Sequence, residues 1–215
     1  FYGRTSHAGG SPHLGRSALD AVELMNVGVN YLREHVLTTN RMHYVITAGG
    51  EAPNIVPDFA EVWYFLRALE PGDLEDLITR VRKIADGATM MTETRVEEEF
   101  GSSCAAVLNN HYLADLQYAV MQEVGEMSFT DEEIAFAQTI NDGNPDAVIK
   151  STINKFHIPA EMAGQPLISA NFPPFDPNQV WTGSSDVGDL SRCTPVSMLR
   201  TTCFPTGTPG HSWGN

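Results

Sequence analysis

Two histidines set among small residues lie near opposite ends of this sequence, in Ser6-His7-Ala8-Gly9 and in Gly210-His211-Ser212-Trp213-Gly214. Small neighbours leave the His7 imidazole open to a ligand, and at the end of an extended segment it could donate a hydrogen bond to a developing oxyanion. The plainer reading is a surface histidine beside a turn, and four residues alone do not displace it. His211 follows an apolar, Pro/Gly-punctuated run over 203–209, where a strand-end loop could present a neutral imidazole nitrogen to Zn²⁺ or a similar ion. Taken singly, the same string also reads as an exposed histidine in a frayed tail.

Four further positions could bind rather than react. Asn54 stands between Pro53 and Pro57, which restrict the local backbone and could pre-set its amide as a donor to a carbonyl or carboxylate; a turn Asn bonding its own backbone fits equally well. Arg67 ends an apolar and aromatic segment, suited to bidentate contact with a carboxylate or to a structural ion pair. Asp186 and Asp189 lie in a Gly/Ser-rich turn and could bind a metal, orient its ligands or serve local backbone bonds. His13 reads as a surface residue at a helix entry. No H-E-x-x-H or H-x-H string occurs, so a self-sufficient metal motif is not present.

The charge balance excludes several partners. Lys+Arg total 13 against 27 Asp+Glu, a net charge of -14, which repels phosphate backbones and anionic lipid surfaces. Nucleic acid and membrane are therefore not expected partners. No apolar run approaches the roughly 20 residues that span a bilayer. Cys104, Cys193 and Cys203 form no C-x-x-C pair and read as reduced thiols of a cytoplasmic protein.

The elements that must position these residues follow from periodicity. A strand over 1–8 leads to a helix whose Ala18, Val22, Met25, Val29, Leu32 and Val36 share one face, with Ser17 and Asp20 forming an Asp version of the capping box. Strands are predicted over 43–47 and 59–69; in the second, Ala60, Val62, Tyr64 and Leu66 alternate with Glu61, Trp63, Phe65 and Arg67. Both faces of that strand are candidates for burial. A helix starting at Pro71 carries Leu74, Leu77, Val81, Ile84 and Ala88, and an exposed strand is expected over 92–100. The order βαββαβ predicts a four-stranded antiparallel sheet with both helices on one face, an α/β arrangement. Beyond 105 the reading is helices over 112–124 and 131–139, an irregular excursion over 141–177, a loop over 182–189 and an apolar strand over 197–204.

Taken together and in order, several strings resemble the metal-dependent amidohydrolase and peptidase superfamily that includes aminoacylases, succinyl-diaminopimelate desuccinylase and glutamate carboxypeptidases. They are Ser6-His7-Ala8-Gly9 with Pro12, the segments 15–21, 49–57, 60–68 and 182–186, and Gly207-Thr208-Pro209-Gly210-His211. The long first helix and the closing Gly-Thr-Pro-Gly-His-Ser-Trp look most like the branch that hydrolyses p-aminobenzoyl-glutamate. The resemblance implies a ferredoxin-like two-layer lid over 1–105 that makes a homodimer contact. It also implies the C-terminal part of an α/β zinc-peptidase-like catalytic domain over 106–215, incomplete here. The superfamily's early catalytic half, with most metal ligands and the general-base glutamate, has no counterpart in these residues.

By the same resemblance His7 reaches the partner subunit's site and polarises the scissile carbonyl. Asn54 and Arg67 line the substrate pocket, His211 is the last ligand of a divalent metal, Zn or Mn, and Asp186 sits behind the ligands. The substrate is then a small-molecule amide, an acyl- or aminobenzoyl-glutamate. One departure is that 100–107 lacks the arginine with which glutamate carboxypeptidases hold a terminal carboxylate. The sequence opens without an initiator Met and closes just after His211, and part of an enzyme, inactive alone, is expected. The alternatives are a non-catalytic dimerisation module and, with least support, a small-ligand binder using Asn54 and Arg67.

Overall fold

The structure, a computed structural model, describes residues 1–156, 158–174 and 183–212. It divides into two units, Phe1–Ala106 and Val107–Asn215. In the first unit the helix begins where the sequence places its cap: Ser17 accepts from the Asp20 N–H at 3.1 Å, and α1 runs Ala18–Leu32. Its buried stripe is Ala18, Ala21, Val22, Met25, Val29 and Leu32, the spacing of one helical face. β1 (Arg41–Ala48) and β2 (Glu61–Arg67) form an antiparallel ladder with Tyr44 opposite Tyr64 and Met42 opposite Leu66.

α2 (Pro71–Thr92) begins on a proline, whose missing N–H has no helical acceptor in the first turn anyway, and buries Leu77, Val81, Ala85 and Ala88. Both helices pack on the face of the ladder that carries Met42, Val62, Tyr64 and Leu66. They approach closely at Gly28, where a Cβ would stand 2.6 Å from Ile84 Cγ2. Of the two faces of β2, one is covered within this unit; Trp63 and Phe65 on the other are 57% and 51% exposed.

The Tyr64 hydroxyl donates to Asn26 Oδ1 across the α1–β2 interface, and burial pushes its phenol above the usual tyrosine range. Asn26 is buried, so removing the donor leaves an acceptor without water or partner. Tyr64→Phe is expected to destabilise the unit by about 1–3 kcal/mol, seen as a lower urea midpoint at unchanged slope; an unchanged midpoint would show that the bond adds nothing.

The outer two predicted strands are shorter than their patterns. Residues 1–8 pair only through isolated bridges, Tyr2 with both Phe59 and Arg95, Arg4 with Arg16 and His7 with Ile55. The segment expected as a strand from 92 is delayed because α2 continues to Thr92, its buried Ala85 and Ala88 extending the stripe, and stops at Glu93 in a left-handed conformation with φ 53°. The Arg95 guanidinium lies 3.8 Å above the Tyr2 ring.

The regular elements of the second unit among the described residues are helices: α3 (His111–Val124), α4 (Asp131–Asp142), α5 (Asp146–Phe156) and α6 (Val187–Cys193). Asn110 caps α3 through the Leu113 N–H at 2.9 Å, and Thr130 and Glu133 form a reciprocal capping box on α4. The stretch read as an irregular excursion holds α5, and its residues 157 and 175–177 lie outside the described residues. α6 starts inside the stretch read as a loop, of which 182 is likewise not described. The expected strand over 197–204 has no ladder partner among the described residues. No helix among the described residues is long and apolar enough to cross a membrane, and the three cysteines are free and exposed.

Candidate functional site

Backbone pairing between the chain's first residues and the 52–57 segment builds the site around His7. Ala8 N–H donates to Asn54 O at 2.9 Å and Val56 N–H to Ser6 O at 3.0 Å, so two stretches nearly fifty residues apart lie side by side. His7 is exposed. Its Nδ1 accepts from the Gly9 N–H at 3.1 Å and the Gly10 N–H at 2.8 Å, while its carbonyl accepts from the Ser11 N–H at 2.9 Å. The ring is thus folded back over its own turn.

Asn54 is exposed at the tip of a turn that the Ile55 N–H closes on Ala52 O at 3.1 Å. Its carbonyl ties His7's neighbour in place and its side-chain amide remains on the surface of the same end of the unit. Ser6 Oγ is buried without a hydrogen-bond partner, and a Cβ on Gly15 would stand 2.5 Å from it. Only a glycine fits there without displacing the serine. His13 is exposed in a short 3₁₀ turn over Pro12–Leu14.

Arg67 is not brought to this cluster. It ends β2 opposite Arg41, half-buried, with its guanidinium 5.9 Å from the Phe65 ring. From Phe59, which pairs with Tyr2, eight extended residues lead to Arg67, roughly 26 Å at about 3.3 Å per residue. His7 and Asn54 lie beyond the other end of that run. A small substrate cannot touch both ends of one copy.

In the second unit His211 is exposed on a turn with φ 62°, following Thr206 and Thr208, which are buried. That run is pinned by the Thr206 N–H to Pro166 O at 2.8 Å and by Gly207, whose φ of 95° lets it lie against Ile149. Trp213 and Gly214 of the terminal string lie outside the described residues. Asp186 precedes α6, exposed, and accepts from the Ser185 hydroxyl at 3.1 Å. Among the described residues no three His, Cys, Asp or Glu side chains form a group able to hold a metal ion.

A site of this kind can donate hydrogen bonds from an open imidazole and a primary amide held by the backbone. The roles of the Gly9 and Gly10 amides were not foreseen from the sequence, although a histidine followed by Ala-Gly-Gly is a signal for a side chain bonding its own turn.

Comparison with known proteins gives four further findings. The family model described as "Peptidase dimerisation domain" matches residues 1–89. A p-aminobenzoyl-glutamate hydrolase subunit of Escherichia coli (strain K12) is 39% identical over 223 residues, which cover 99% of this chain and 46% of that protein. The Xaa-Arg dipeptidase of Mus musculus is 34% identical over 99 residues, 46% of this chain and 23% of that protein. Among solved structures, an aminobenzoyl-glutamate utilization protein from Klebsiella pneumoniae matches with 24% identity and a TM-score of 0.49, covering 55% of this chain and 31% of that one. The chain spans less than half the length of the curated relatives it matches.

Proposed function

We propose that the chain, whose residues 1–89 match the family model described as a peptidase dimerisation domain, is the lid and the C-terminal catalytic part of a metal-dependent amidohydrolase. Its substrate is an amide of the acyl- or aminobenzoyl-glutamate type. The observation that carries this reading is the 39% identity to the aminobenzoyl-glutamate hydrolase subunit, which extends over 99% of the chain rather than over the lid alone.

For residues 1–105 the reading is a ferredoxin-like lid. Its support is the order of pairing: Arg95 to Tyr2, Tyr2 to Phe59, then β2 to β1, with both helices on one face. For 106–215 the reading is an incomplete domain. Two apolar residues, Ala137 and Ile168, are buried there among the described residues, against thirteen in the first unit. Tyr112, Leu116, Val120 and Val124, spaced by four along α3, are 75%, 50%, 49% and 83% exposed. A unit with so little buried apolar surface needs more polypeptide to cover it.

In the reaction this chain contributes binding and hydrogen bonds. The His7 N–H donates to the carbonyl oxygen as it becomes an oxyanion, a bond that strengthens with the charge. The Asn54 amide fixes the substrate beside it, and the Arg67 guanidinium takes a carboxylate. Because His7 and Asn54 stand at one end of the lid and Arg67 at the other, all three serve one substrate only if a second copy supplies the missing end. That is the reason the site is assigned to a homodimer.

The surface that pairs the copies is assigned to β1 and α1. β1 has β2 on one side, and no strand on the other among the described residues. Leu24, Val27 and Tyr31, on one side of α1, are 36%, 49% and 69% exposed. Val27→Glu would set like charges against each other across a twofold, so its dimer dissociation constant in sedimentation is expected to rise at least about tenfold, roughly 1.4 kcal/mol. An unchanged constant would move the interface elsewhere.

The superfamily resemblance implies a divalent ion, Zn or Mn, and His211 and Asp186 are the residues assigned near it. One imidazole does not hold a catalytic ion against water, so the described residues do not fit that ion without ligands from further polypeptide. The 215-residue chain with added Mn²⁺ or Zn²⁺ is therefore expected to release no glutamate from an aminobenzoyl-glutamate; release above the metal-only background would overturn this. A longer protein that dimerises yet never hydrolyses the amide would favour the non-catalytic module instead.

A further inference from the structure

We propose that the backbone N–H groups of Gly9 and Gly10 are positioning donors that hold the His7 imidazole as a single tautomer, with its proton on Nε2. This rests on the reading of His7 as the oxyanion donor for its purpose, but not for its geometry. Both amides point at the same ring nitrogen, at 3.1 and 2.8 Å. A neutral imidazole has one N–H and one bare nitrogen. Two donors on Nδ1 require that Nδ1 be the bare one, since a proton there would face two others.

The consequence is that the ring can donate only from Nε2. That atom has no protein partner among the described residues, and His7 is exposed. A hydrogen-bond donor whose proton always sits on the outward nitrogen is ready for a substrate oxygen without a tautomer change. A neutral ring offering bare Nε2 would repel the oxyanion. The usual device for fixing a histidine tautomer is a carboxylate or carbonyl that accepts from the second nitrogen; here the fixing groups donate.

Glycine is compatible with the role but is not its chemical content. A Cβ at Gly9 or Gly10 would meet the ring no closer than 3.5 and 3.4 Å, so alanine keeps both the fold and the N–H. Proline removes the N–H.

The test is ¹⁵N NMR of the uniformly labelled 215-residue chain at pH 8, the His7 signals being those that His7→Gln removes. A protonated Nε2 and a bare Nδ1, unchanged in Gly10→Ala and shifted toward tautomer averaging in Gly10→Pro, are expected. Bare Nε2, or averaged nitrogens in the unmodified chain, would overturn the proposal. If Gly10→Pro does not fold, Gly9→Pro and the unmodified spectrum decide it. A correct spectrum together with full turnover of His7→Ala in the longer enzyme would sink the catalytic reading of His7 and leave the tautomer assignment standing.

Discussion

With His7 as the proposed oxyanion donor, replacing it by alanine in the full-length protein is expected to lower kcat about 100- to 1,000-fold, with metal content unchanged. KM should move little, because a neutral carbonyl in the ground state takes less from the donor than the charged oxygen of the transition state does. His7 is exposed and, among the described residues, its ring hydrogen-bonds only to its own turn, so the loss would not come from unfolding. Equal melting curves for His7→Ala and the parent check that point. A tenfold rise in KM at full kcat would instead make His7 a ground-state binding residue.

The second large effect concerns the fold that carries His7. A Cβ on Gly3 would stand 1.9 Å from Arg16 O and 3.0 Å from Ala18 N, and both are backbone atoms that cannot swing aside. The Gly3 N–H also donates to Asp58 O at 2.8 Å, while Arg4 and Arg16 exchange hydrogen bonds of 2.8 Å on the other side. To admit one methyl group the first strand must move off the start of α1 and off 58–60 together. Gly3→Ala is expected to destabilise the unit by about 3 kcal/mol or more, the upper range for overpacking. For a unit of this size that is a fall in Tm of roughly 12 °C or more. A Tm within about 2 °C of the parent would show that the first strand is not held against α1 as described.

The periodic elements were legible in the sequence because their partners are close in the chain. α1 shows its stripe and its Ser17 cap, β2 its alternation, and α2 its opening proline. The outer segments were less so. Residues 1–8 and 92–100 carry strand-like patterns, yet how far each pairs depends on the other and on where α2 ends. The buried Ala85 and Ala88 carry that helix to Thr92. α5 was hidden by the surrounding Asn, Asp and Pro, although Pro145 at its start, Asp146 in its first turn and Lys155 in its last are the marks of a helix. The strand read over 197–204 requires a partner strand, and pattern alone cannot supply one.

The site was legible as residue types and not as geometry. His7 and Asn54 were chosen from separate strings, and only the bonds from Ala8 to Asn54 and from Val56 to Ser6 explain why they share one end of the unit. The resemblance implies that Arg67 lines the same pocket, and the length of β2 puts it at the other end of the unit, so the three residues meet at one substrate only across two copies.

Mixing His7→Ala with Arg67→Ala copies of the full-length enzyme tests that claim most directly. If one copy supplies His7 and Asn54 to a substrate whose carboxylate the other copy's Arg67 holds, each mixed dimer regains one intact site and keeps one doubly damaged. Statistical exchange then restores roughly a quarter of the parent turnover, from two variants that are each nearly inactive. A mixture no more active than the mean of the two variants, with exchange between dimers verified, would contradict it.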